Sequence, residues 1–174
     1  MTAGQRHERL WERAERHLAQ RNPEAARASL EALVASEPGH VMARLRLSTL
    51  ATAAGRYRDS LEHLLAVAQL QPDDPELALM LAGMLHRLGE VAVALALLSN
   101  PAAVAAADRD TLEQMAQLAQ QMDAAALAVR LLDRADAAGT PTVASLYLRA
   151  TLQTFAGDIG AAQATLSECV ARAP

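Results

Sequence analysis

Residues able to do chemistry are few in this sequence, and their spacing defeats most of what they could do. The five histidines are His7, His17, His40, His63 and His86. A helix presents two metal ligands on one face at three- or four-residue spacing, and no two of these histidines stand that close. Cys169 is the single cysteine, which excludes an internal disulfide and a cysteine-built zinc site. No glycine-rich phosphate loop occurs, and no serine stands in a nucleophile-elbow setting. The expectation is a chain with no catalytic residues, no metal and no cofactor, whose chemistry is recognition.

The elements that must position any recognition surface follow from composition. The chain has 174 residues, 41 of them Ala and 28 Leu, with only four aromatic rings. Ala and Leu are strong helix formers and β-branched residues are sparse, so the chain reads as all-α. With so few rings, the interior must be built from Leu and Ala at close helix–helix spacing. The formal net charge is −4, every one of the 16 basic residues is Arg, and no basic run occurs. That lacks the electrostatic footprint of a nucleic-acid binder. The N-terminal residues alternate Arg and Glu, with neither a signal-peptide core nor a membrane span, so a cytoplasmic protein is expected and no membrane partner.

A fixed period organises the sequence. Pro38, Pro72 and Pro174 are spaced by 34 and by three times 34, with Thr140, followed at once by Pro141, at one of the two intervening marks. Gly55, Gly89 and Gly157 repeat the same spacing, with Asp123 in the vacant place. Cutting on this period gives a lead of residues 1–6 and one array over 7–174, in segments 7–40, 41–74, 75–108, 109–142 and 143–174. Each segment has small or apolar residues at helical spacing in its first half, with Ala14, Ser48, Ala82, Ala116 and Ala150 at position eight. A helix breaker follows at position fifteen, where glycine takes the left-handed conformation at no steric cost. The second half carries Ala26, Ser60, Ala94, Ala128 and Ala162 at position twenty and Leu30, Leu64, Leu98, Leu132 and Leu166 at position twenty-four. Cys169 falls at position twenty-seven, a packing position between helices.

This pattern resembles the tetratricopeptide repeat family, whose 34-residue helix–turn–helix unit has small residues at eight and twenty, Gly near fifteen and Pro at thirty-two. The resemblance spans residues 7–174 and implies a right-handed superhelical solenoid of five such repeats. Three departures are local: Arg13 and Arg149 hold position seven, Trp11 lies one place after the usual aromatic, and Pro101 stands at twenty-seven of the third unit. Pro101 lacks a backbone donor and clashes with the preceding turn, so the second helix of that unit should stop near Leu98 or Ser99. Residues 100–108 should form a loop or a short extra turn.

The resemblance also implies a protein- or peptide-binding scaffold whose concave groove is lined by the first helix of each unit. The residues expected there are Glu8, Trp11, Glu12 and Glu15 from the first unit and Met42, Leu45, Arg46 and Thr49 from the second. The third offers Glu76, Leu79, Met80, His86 and Arg87, and the fourth Asp110, Glu113, Gln114, Gln117 and Gln121. The fifth offers Tyr147, Leu148, Thr151, Thr154 and Phe155. Such a wall suits an amphipathic or mixed ligand. Relatives that grip acidic C-terminal tails use Lys, Asn and Arg here, and only Arg46 and Arg87 are available, so a carboxylate grip is not expected.

No polar capping helix follows the fifth unit, which leaves self-association through its last helix as one expectation. The alternative is an N-terminal substrate-recognition or dimerisation region of a larger enzyme. The stretches Tyr147-Leu148-Arg149 and Phe155-Ala156-Gly157-Asp158 look similar to repeat regions preceding bacterial sulfotransferase domains.

Overall fold

Eleven helices and the turns between them account for residues 2–172, which the computed structural model describes. In chain order they are α1 (Ala3–Ala19), α2 (Pro23–Ser36), α3 (Val41–Ala53), α4 (Tyr57–Ala68), α5 (Pro75–Arg87) and α6 (Val91–Leu98). Then come α7 (Pro101–Ala106), α8 (Arg109–Gln121), α9 (Ala125–Ala137), α10 (Val143–Phe155) and α11 (Ile159–Arg172). No strand occurs among the described residues. Pro174, expected as a closing helix breaker, lies outside them.

Helix boundaries have local causes. Thr2 and Gln5 form a reciprocal capping box, so α1 begins at Ala3, inside the six-residue lead. Asn22 caps α2 from one side while Pro23 occupies its first helical position, where a missing N–H costs nothing. At position fifteen, Gly55, Gly89 and Gly157 have φ of 73°, 83° and 80°. Asp123 takes φ 57° in the fourth unit, and Arg21 takes φ 55° in the first. The left-handed turn therefore survives in all five units, at some strain where a side chain is present.

Pro101 behaves as expected. The second helix of the third unit ends at Leu98, and Asn100 caps a new six-residue helix, its Oδ1 accepting from the Ala102 N–H at 3.0 Å. The same residue that stops one helix starts the next, because its fixed φ suits a first helical turn.

Two compact units make up the chain. Unit 1 runs to Pro72 and includes Arg87–Gly89; unit 2 holds Asp73–His86 and the chain from Glu90 onward. In unit 1, α1 packs on α2, α2 on α3 and α3 on α4. Its core joins Ala14, Leu30, Leu33, Ala43 and Leu47, with Leu10, Trp11, Val34 and Leu50 against it. In unit 2, α8 packs on α9, α10 on both α8 and α9, and α11 on α10.

The small residues at positions eight and twenty are buried in every repeat, which lets paired helices approach closely. In the second repeat the pair is Ser48 and Ser60, whose hydroxyls meet at 2.7 Å, with Thr52 Oγ1 at 2.9 Å from Ser60. A hydroxyl placed there must find a partner, since an orphaned one costs about 1–3 kcal/mol. Leu30, Leu64, Leu98 and Leu132 at position twenty-four are at most 1% exposed, each stabilising by roughly 2 kcal/mol relative to an exposed leucine. Leu166 departs from this pattern at 40% exposure, on a helix that also exposes Ile159 and Val170. Burial at this position depends on helices beyond the residue's own, and α11 leaves its leucine uncovered. Cys169 is buried, its Sγ 3.5 Å from the Val143 carbonyl.

Candidate recognition groove

In unit 2 the first helices of the fourth and fifth repeats, α8 and α10, wall a groove of about 500 Å³. Leu112, Met115, Ala116 and Ala119 form the buried stripe of α8, and their spacing turns Asp110, Gln114 and Gln117 to the opposite face. On α10 the buried residues Ser145, Leu146, Ala150 and Leu152 do the same for Tyr147, which is 64% exposed. The lining comprises Asp110, Glu113, Gln114, Gln117 and Gln120 from α8, and Ala144, Ser145, Tyr147, Leu148 and Thr151 from α10.

Both walls are anchored. Asp108 caps α8, accepting from the Thr111 N–H at 2.9 Å, and that donation holds its carboxyl below the usual range. Thr142 caps α10 through its Oγ1, which accepts from the Ser145 N–H at 3.0 Å and donates to Glu113 Oε2 at 2.9 Å. Glu113 Oε1 in turn accepts from Arg109 Nε at 3.0 Å. Behind this, Arg149 donates to Asp133 at 2.8 Å and to Asp136 at 2.7 Å, tying α10 to α9. Arg109 Nη2 stands 3.6 Å from Asp136 Oδ1, an attraction of charges without a hydrogen bond, and both atoms are buried. The position-seven arginine of the fifth unit is thus part of a network holding α8, α9 and α10 in register.

Against this frame the groove-facing groups are uncommitted. Among the described residues no side chain pairs with Asp110, Gln114, Gln117 or Gln120. Thr151 satisfies its own hydroxyl on the Tyr147 carbonyl at 2.9 Å. Chemically the groove offers amide donors and acceptors, one aromatic face and two carboxylates. Among the described residues no three His, Cys, Asp or Glu side chains converge as a metal site.

The expected groove residues divide sharply. Gln114, Gln117, Tyr147 and Thr151 come together, with Asp110, Glu113 and Leu148. Gln121 and Phe155 are exposed outside the lining, Phe155 at 79%. In the third repeat Met80 is exposed, while Leu79 and His86 are half-buried and His86 Nδ1 has no hydrogen-bond partner.

In unit 1 Trp11 is half-buried, stacked on His40 with centroids 5.6 Å apart, where His40 also caps α3 through Nδ1. Arg46 is bonded to Glu15 at 3.2 Å, Thr49 donates to the Leu45 carbonyl, and Arg87 sits over the Tyr57 ring at 5.6 Å. Met42 is exposed and Leu45 half-buried. Gln120, Ala144 and Ser145 were not among the expected groove residues. Gln120 had a signal, since it occupies repeat position twelve, one of the positions that face the groove in this repeat type.

The sequence matches the Tetratricopeptide repeat model over residues 17–84. No curated protein matches it significantly. Among solved structures, that of MamA protein superposes with TM-score 0.81 at 13% identity, covering 97% of this chain and 92% of that one. A MamA structure from Desulfovibrio magneticus RS-1, residues 41 to the end, gives TM-score 0.79 at 15% identity over 97% of this chain and 96% of that one. YrrB, described as a TPR protein with an unusual peptide-binding site, gives 0.73 at 14% identity over 95% and 85%. No helix of the described residues is long and apolar enough to cross a membrane. Residues 17–84 therefore carry a tetratricopeptide repeat match, and the solved structures share the helical fold of nearly the whole chain.

Proposed function

We propose that the chain is a scaffold that binds a peptide or an extended protein segment in the α8/α10 groove and performs no catalysis of its own. The observation that carries this reading is the contrast within that groove: about 500 Å³ held by ion pairs, yet lined by amides with no side-chain partner among the described residues. Polar side chains held without partners on a rigid wall are inexpensive to desolvate if a ligand then satisfies them. Gln114 to Gln120 spans six helical steps, about 9 Å, close to three residues of an extended chain. Extended peptide backbone supplies alternating N–H and C=O groups that glutamine amides can meet from either side. The description of YrrB as a peptide-binding repeat protein favours the scaffold over the enzyme-region alternative.

A degenerate pool of fluorescently labelled octapeptides, followed by anisotropy, tests this. The pool should bind the wild-type chain, and a Gln117→Ala/Tyr147→Ala double variant with an unchanged helical circular dichroism signal should lose at least about tenfold in affinity, at roughly 1.4 kcal/mol per decade. Full retention of pool binding by that variant places recognition elsewhere and overturns the reading.

A further inference from the structure

Resting on the groove reading above, we infer that the segment bound between α8 and α10 carries a Lys or Arg side chain, which the groove places against Asp110. The lining contains two carboxylates, Asp110 and Glu113, and no cation. Two guanidiniums close to these helices are committed elsewhere: Arg109 to Glu113 and Asp136, Arg149 to Asp133 and Asp136. Neither lines the groove. Those four ion pairs join two arginines to three carboxylates, so the cluster is net acidic before Asp110 is added.

Asp110 differs from Glu113 in the way that matters for a ligand. Glu113 is half-buried and its two oxygens accept from Arg109 and Thr142, while Asp110 is exposed with no cation or donor on its carboxylate among the described residues. An open carboxylate in a groove otherwise lined by amides and one aromatic ring is complementary to a basic side chain on a polar backbone. Repeat position two is acidic in the first and third units as well, at Glu8 and Glu76. Its rival role is local: an acid in the first turn of α8 also complements the helix dipole. The two roles separate experimentally, because only one of them selects between ligands.

The probes are three octapeptide pools with degenerate flanks and Lys, Glu or Leu fixed at one central position. The wild-type chain should prefer the Lys pool over the Glu pool by about fivefold, and the preference should shrink as NaCl rises from about 50 mM to about 500 mM. Asp110→Asn should bring the Lys-to-Glu ratio close to one, with the helical circular dichroism signal unchanged. Gln114→Lys, an exposed substitution one helical turn from Asp110, should pair with that carboxylate and shrink the preference for the Lys pool. Equal binding of the pools by the wild type, with both lost in Gln117→Ala/Tyr147→Ala, leaves the groove reading standing and overturns the basic-ligand inference. A Lys preference unchanged in Asp110→Asn also overturns it, assigning Asp110 to the helix dipole alone. No binding of any pool to the wild type overturns both.

Discussion

Two faces built from the same repeat positions reach opposite ends. On α1 and α3 of unit 1 two of the residues expected to greet a ligand have found partners inside the protein, Trp11 on His40 and Arg46 on Glu15, while Met42 stays exposed. On α8 and α10 of unit 2 Arg109, Glu113 and Arg149 are committed to ion pairs beside the groove, while Asp110, the amides and Tyr147 on the groove face have no side-chain partner among the described residues. A repeat position therefore states which way a side chain leaves its helix and does not state whether it is available. Availability depends on whether a complementary group arrives from a neighbouring helix.

The largest test of this contrast is aromatic truncation. Trp11→Ala should destabilise unit 1 by roughly 2–3 kcal/mol, because the ring packs on the core beside Leu10 and Val34. Tyr147→Ala should stay within about 0.5 kcal/mol, as expected of an exposed surface position. Equal losses in urea unfolding would erase the distinction between a structural and a free aromatic.

A smaller effect separates the two arginines. Arg149→Ala leaves Asp136, half-buried, with only the distant Arg109 and should cost about 2 kcal/mol. Arg46→Ala removes an exposed pair with Glu15 and should cost at most about 0.5 kcal/mol. Thermal unfolding of the two variants side by side reads this directly, and a costlier Arg46 would mean that unit 1 relies on its groove face for stability.

The smallest effect is a pH dependence confined to unit 1. Burial, with Arg44 nearby, lowers the pKa of His63 below its usual value, so the unfolded chain binds the proton more readily than the folded one. The stability this contributes is complete above the unfolded pKa and is lost as pH falls through the lower folded one. Unit 2 has Leu131 at the same repeat position, fully apolar and buried. Lowering pH from about 7.5 to about 5.5 should reduce the unfolding midpoint slightly, and His63→Gln should flatten that slope. An identical slope in the variant would assign the pH response to other groups.

Much of the fold was legible because its causes are steric and local. Ala at position eight, Leu at position twenty-four and a breaker at fifteen act within one helix pair, and Pro101 stops a helix whatever surrounds it. Even Arg21, which carries no helix-breaking signature, adopts the left-handed turn because the period demands one there. Leu166 is the exception that the sequence also allowed: no cap was expected over the last helix, and there the position-twenty-four leucine is 40% exposed.

The candidate groove was legible only in part. Gln114, Gln117, Tyr147 and Thr151 followed from the repeat positions that the family resemblance assigns to the groove. Pairings such as Glu113 with Thr142, 29 residues apart, or Arg46 with Glu15, 31 apart, carry no such signal. By itself the sequence determined the helices, their period and the small residues that let them close. Only the tertiary structure decided which polar groups were consumed and which were left for a ligand. Charge and hydrogen-bond partnership is settled by groups that chain folding brings together, and it follows no repeat along the chain.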